Sequence, residues 1–148
     1  MIALREINEE NFHAVISMKL PESQRRFVAD NAYSLAQAWL YRDAGDVFPC
    51  AICEEDVTVG FLMAEIDREE REFILWRVVV APEYQGRGYG SQAAKLALKL
   101  AKESGQFDFA TVDYKEGNEA ARRAWEKAGF YPTEEIANGD EHVMHARL

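Results

Sequence analysis

The residues best suited to chemistry lie between Phe73 and Gly90, in the run FILWRVVVAPEYQGRGYG. Phe73 to Ala81 is almost continuously apolar and β-branched, is broken by Arg77, and ends at Pro82; its composition and length read as a buried strand. Gln85-Gly86-Arg87-Gly88-Tyr89-Gly90 follows, and then Ala93, Ala94, Leu96, Ala97, Leu98, Leu100 and Ala101 recur at helical spacing. The order is strand, glycine loop, helix. A glycine loop opening a helix leaves several backbone N–H groups unpaired at the positive end of the helix dipole. Such a loop is an anion site, and phosphate is the usual anion.

Two common phosphate loops do not fit. A dinucleotide loop needs GxGxxG, whereas glycines 86, 88 and 90 give GxGxG, and no strand ending in an acidic residue follows at the expected distance. A mononucleotide P-loop needs Lys and then Ser or Thr after its last glycine, and Ser91-Gln92 stands there instead. What remains is Q-x-x-G-x-G, or else a plain glycine-rich turn between two core elements.

The elements around this loop belong to one domain spanning residues 1–148, long enough to bury a real core. The 48% hydrophobic and 29% charged content suits a soluble globular protein, and no apolar run is long enough to span a membrane. The N-terminal MIALREINEE shows no secretory pattern, so the expected location is the cytoplasm. A net charge of -9 argues against a nucleic-acid partner and suits a cationic one, or simply solubility. Cys50 and Cys53 sit in an apolar strand-like run without a second cysteine pair, and His13, His142 and His145 are scattered, so no metal site is expected.

In chain order, a strand is expected over Ile2 to Ile7 and a helix over Glu9 to Met18 capped by Asn8. A second helix restarts at Pro21 and runs to about Arg42. Strands Val47 to Glu54, Thr58 to Asp67 and Phe73 to Ala81 read as an antiparallel meander. Helix Ser91 to Ser104 stops at Gly105, a strand covers Phe107 to Tyr114, and helix Gly117 to Ala128 stops at Gly129. Phe130 to Ala137 and His142 to Leu148 form a hairpin across Asn138-Gly139. The fold class is α+β, a three-layer arrangement. About seven strands form a mixed, mostly antiparallel sheet around a central parallel β-α-β unit, with four helices on its two faces.

This order, together with Q-x-x-G-x-G at Gln85 to Gly90, resembles the GNAT superfamily of acyl-CoA-dependent N-acyltransferases. Asn118 to Phe130 resembles the family's second motif, N-x-x-A-x-x-x-Y-x-x-x-G-F. The resemblance implies acetyl-CoA as co-substrate. It places the pantetheine arm along the backbone of Val78, Val79 and Val80, and the pyrophosphate on the N–H groups of Arg87, Gly88, Tyr89, Gly90 and Ser91, with Gly86 in the same cofactor-binding loop. Gln85 supports that loop, Asn118 faces the pantetheine, Trp125 lines the groove, and Lys127 lies on the side of the phosphates. Gln24 to Val28, Tyr33 to Ala38 and Trp76-Arg77 are similar to the bacterial diamine and polyamine N-acetyltransferases of the superfamily. That likeness implies a polyamine or diamine acceptor, with Asp30, Tyr33 and Trp76 as substrate residues; the superfamily resemblance adds a homodimer as an expectation.

The match is incomplete at the proton-transfer positions. Family members often carry an acidic residue four or six positions before Val80, where this chain has Trp76 and Ile74. Glu72, on the same face by strand parity, and Glu65 on the neighbouring strand are the replacement candidates for the base. The usual tyrosine acid is Trp125, whose indole N–H does not give up a useful proton, so Tyr114 is the substitute. Rival readings are another acceptor (a peptide N-terminus, an amino acid or an aminoglycoside) and an acyl-CoA sensor that does not catalyse.

Overall fold

In a computed structural model describing residues 1–148, one seven-stranded sheet runs in the order β1-β2-β3-β4-β5-β7-β6. Its strands are β1 (Ile2–Glu6), β2 (Val47–Glu54), β3 (Val57–Asp67), β4 (Glu72–Val80), β5 (Phe109–Lys115), β6 (Tyr131–Ala137) and β7 (Glu141–Arg147). Every neighbouring pair is antiparallel except β4 with β5, which run parallel and are joined by helix α4 (Tyr89–Ser104). The mixed sheet and its parallel unit are as the sequence predicts. No helix is long and apolar enough to cross a membrane.

Two apolar layers pack on the sheet. On one face Ala93, Ala94, Ala97 and Leu98 of α4 and Trp125 of α5 (Glu119–Ala128) close over Leu62, Leu75, Val112 and Met144. On the other face Val15 of α1 (Phe12–Ile16) and Leu35 of a later helix close over Phe61, Met63 and Val79. Small alanines on α4 let its axis approach the sheet closely, and this fixes where its N-terminus lies relative to the end of β4.

Three expectations need correction. The helix predicted from Pro21 to Arg42 is broken into α2 (Glu22–Arg25) and α3 (Asn31–Leu40), giving five helices rather than four. The break arises because Asp30 takes an extended conformation and its carboxylate accepts the Tyr33 N–H at 2.8 Å, starting a new helix there. The first helix is shorter than predicted. Asn8 and Asn11 exchange backbone-to-side-chain hydrogen bonds of 2.9 and 3.1 Å, which holds residues 8–11 in a turn ahead of it. Finally, β4 carries a bulge. Arg77 pairs with Met63 and Leu75 with Ala64, so Trp76 has no partner on β3.

That bulge resets the side-chain alternation along β4. Trp76 packs in the α1–α3 layer and Arg77 bonds to α3, so two successive residues share a face. Val78 then returns to the α4 face, beside Leu75 and Phe73. Glu72 is therefore on the opposite face from Val80, contrary to simple strand parity.

Gly60 of β3 braces the end of β4. A methyl group there would lie 2.4 Å from the Val79 carbonyl oxygen and 3.1 Å from Ile52 Cδ1. Neither the backbone nor the fully buried Ile52 can give way cheaply. Gly60→Ala is expected to lower unfolding stability by about 1–3 kcal/mol, read as an earlier urea midpoint at unchanged slope.

Candidate active site

The parallel pairing of β4 with β5 is short. It runs from Glu72 opposite Phe109 to Leu75 opposite Val112, and stops there. Beyond it, Trp76 to Val80 bends away while Asp113 to Lys115 stays with β7. The strands part, and a cleft of about 790 Å³ opens between them. Both strands line it, together with the Gln85 to Ser91 loop and the start of α5.

The parting leaves backbone groups without partners. Ala81 N–H donates to the Val59 carbonyl at 2.9 Å. By the alternation of an antiparallel ladder, Val79 then bonds to β3, while the peptide groups of Val78 and Val80 face the cleft. The Val80 carbonyl is capped by the Gln85 side chain at 2.9 Å, and Gln85 is held in turn by a reciprocal amide pair with Gln24 of α2 at 3.0 and 3.1 Å. The N–H groups of Val78 and Val80 and the Val78 carbonyl remain available to an extended ligand.

At the far end of β4, the glycine loop meets α4. Gly86 and Gly88 have φ of 79° and 82°, the left-handed region that glycine occupies without strain. The first backbone bond of α4 runs from Gln92 N–H to the Gly88 carbonyl at 3.0 Å, and no N–H from Gly86 to Ser91 is donated to any protein acceptor. Left-handed glycines and a bare helix N-terminus together form a concave row of amides with the chemistry of a phosphate cradle. Arg87 lines no part of the cleft; it leans over the Tyr84 ring at 5.6 Å.

Around the cleft, five basic side chains (Arg26, Arg77, Lys115, Arg123 and Lys127) face three acidic ones, Asp113, Glu119 and Glu141. Although the whole chain is acidic, the cleft itself is not.

Asp113 is the group the sequence reading missed. It lies on β5 just past the last residue paired with β4. The residue is exposed, and neighbouring protein atoms desolvate its carboxyl only in part. Burial, the Glu141 charge and a hydrogen bond shared with Glu141 raise its pKa to about 6, against the pull of Arg77 and Lys115. A carboxyl poised there can take a proton near neutral pH. Tyr114, next along β5, stacks on His142 at 5.2 Å and reaches the same cleft, as do Asn118, Trp125 and Lys127. The Asn118 side chain caps α5 by accepting the Ala121 N–H at 3.3 Å. Trp125 is buried and its Nε1–H has no protein acceptor.

The carboxylates nominated as bases are not in the cleft. Glu72 accepts a hydrogen bond from Thr111 and lines a neighbouring cavity of about 310 Å³ that shares Val112 and Asp113 with the cleft. Glu65 lines neither cavity, although burial followed by the Asp46, Glu72 and Asp67 charges raises its pKa. Asp30 caps α3 through one carboxylate oxygen and does not line the cleft. Trp76 lines the cleft, whereas Tyr33 does not, its ring lying 5.6 Å from the Arg77 guanidinium.

A family model described as "Acetyltransferase (GNAT) family" matches residues 2–130, so the chain belongs to the GNAT acetyltransferases. It is an acetyl-CoA-dependent N-acetyltransferase. No curated protein matches the sequence. Among solved structures, aminoglycoside acetyltransferase AAC(6')-Ib in complex with coenzyme A superposes with a TM-score of 0.81 at 13% identity, covering 99% of this chain and 95% of that one. Spermidine N-acetyltransferase from Vibrio cholerae, in complex with CoA and spermine, gives 0.77 at 15% identity, with 99% and 95% covered. PaiA N-acetyltransferase from Thermoplasma acidophilum, in complex with coenzyme A, gives 0.73 at 17% identity, with 100% and 99% covered. At these identities the likeness establishes the fold.

A side chain at Gly88 would be relieved only by turning the loop out of the left-handed region, which re-aims its amides. Gly88→Ala is expected to weaken coenzyme A binding about tenfold by calorimetry.

Proposed function

We propose that Asp113 serves as the proton acceptor for transfer of an acetyl group from acetyl-CoA to a primary amine. The observation that carries this reading is the parting of β4 from β5, with the amide cradle at one end of the opening and Asp113 at the other. In this reading the Val78 and Val80 peptide groups hold the pantetheine arm as an added strand would. The amides from Arg87 to Ser91 take the pyrophosphate, and Lys127 lies within reach of the phosphates.

The acceptor arrives as an ammonium. Asp113 removes one proton, and the freed nitrogen lone pair attacks the acetyl carbon. The C–N bond forms as the C–S bond breaks. The nitrogen then sheds a second proton, and the thiolate, whose pKa is near 8.5, takes up a proton as it leaves. Tyr114, which lines the cleft, is the donor of that proton in this reading; Trp125 packs under the groove and can supply no more than a hydrogen bond.

Two acceptor classes follow from different observations. The net charge of -9 and the likeness to spermidine N-acetyltransferases favour a polyamine or diamine. The unpaired Arg77 in the cleft wall favours an amine that also bears an anion.

A base that must be ionised sets the direction of the pH effect. kcat/KM is expected to rise with pH through about 6, following Asp113, and Asp113→Asn should lose that limb and about a hundredfold or more in rate, measured as free-thiol release from acetyl-CoA. Because the folded-state pKa lies above the ordinary 3.8, Asp113 contributes less to stability as pH rises through that window. Asp113→Asn should therefore unfold no earlier than the parent chain at pH 8. Wild-type rate in a folded Asp113→Asn protein would contradict the assignment. Tight acetyl-CoA binding without turnover of any amine would favour a sensor.

A further inference from the structure

Arg77 follows the β4 bulge and lines the cleft on the α3 side. Its Nη1 donates to Ser34 Oγ at 2.9 Å and to Gln37 Oε1. The guanidinium lies 4.8 Å from the Trp76 ring and 5.6 Å from the Tyr33 ring. Ser34 is fully buried, so the fork is anchored at one end and held between two aromatic faces.

The other edge is open. Nε and Nη2 donate to no protein atom, and no carboxylate oxygen lies within the 4.0 Å of an ion pair. By contrast, Arg71 and Arg122, on the outer surface, each hold a carboxylate at 3.0 Å or less. Burial lowers the proton affinity of this guanidinium, and the Tyr33, Asp113 and Glu141 charges oppose that from beyond ion-pair distance, so no carboxylate caps its open edge directly. A planar, rigid fork with one edge free has the geometry for a carboxylate. Asp113 is near enough for the two charges to shift each other's proton affinity, and it sits where the sheet opens.

We propose that Arg77 is a specificity-determining residue: the acceptor is an aminocarboxylate, its amine delivered to Asp113 and its carboxylate received by the open edge of Arg77. This rests on the amine-acetylation reading above and narrows its substrate class. A diamine of similar length would instead place its second ammonium against a fixed cation, at a cost in binding.

The test compares acceptors that differ in one charge. Leucine, β-alanine and 4-aminobutyrate are each assayed against their own carboxamides, with putrescine and spermidine alongside, by thiol release from acetyl-CoA. The proposal predicts that at least one acid exceeds its carboxamide about tenfold or more in kcat/KM, chiefly through KM, and that it exceeds both polyamines. Arg77→Met should bring the acid-to-amide ratio close to one, and Arg77→Lys should leave it intermediate, because the charge survives without the fork. Should Arg77→Met fail to fold, the wild-type ratios still decide. A wild-type preference for spermidine or putrescine, ratios near one for all three pairs, or an unchanged ratio in folded Arg77→Met would overturn the proposal while acetyl transfer stands. Absence of turnover with every amine would overturn the reading beneath it as well.

Discussion

The structure depends on where two parallel strands stop pairing. β4 and β5 share a ladder only from Glu72 to Leu75, and every feature of the cleft follows from its end. β4 can turn aside there because its other edge stays bonded to β3 as far as Val80, braced by Gly60 at a distance no side chain tolerates. The bulge at Trp76 supplies the bend and the local change of twist. β5 keeps its place because β7 pairs with all of it, from Phe109 to Lys115. One strand is thus free to bend and the other is not. The peptide groups of Val78 and Val80 open onto the gap between them.

The same strand leads directly into the amide cradle. β4 ends at Val80, the chain turns through Pro82 to Tyr84, and Gly86 and Gly88 deliver it to the first turn of α4. An extended ligand lying against β4 therefore meets a helix N-terminus without further adjustment of the protein. Charge is distributed to suit this arrangement. The excess of acidic groups lies on the outer surface, while basic side chains predominate around the cleft, and desolvation, followed by the neighbouring Glu141 charge, raises the Asp113 pKa to about 6.

Locally coded features were legible in the sequence. The strand, glycine loop and helix from Glu72 to Ser104 follow from apolar periodicity and glycine placement. The β6–β7 turn follows from Asn138-Gly139, both of which take positive φ. Features set by tertiary contact were not legible. Nothing local in β4 announces that Trp76 will be skipped by its partner strand, and that skip leaves Glu72 on the opposite face from Val80 and outside the lining of the cleft. Asp113 looks like any carboxylate on a strand until burial and Glu141, 28 positions away in sequence, raise its pKa. Asp30 reads as a cation site in the sequence; the structure shows it capping α3 and outside the lining of the cleft. Arg77 was visible only as a break in an apolar run; its meaning lies in the missing counter-ion.

The most direct test of the account is backbone amide hydrogen exchange, resolved residue by residue, with and without acetyl-CoA. The parted strands predict alternation: acetyl-CoA should slow exchange at Val78 and Val80 and from Arg87 to Ser91, while Val79, already bonded to β3, should change little. Protection of the loop without any change at Val78 and Val80, or uniform slowing along β4 with no alternation, would contradict the claim that the freed edge of this strand holds the co-substrate.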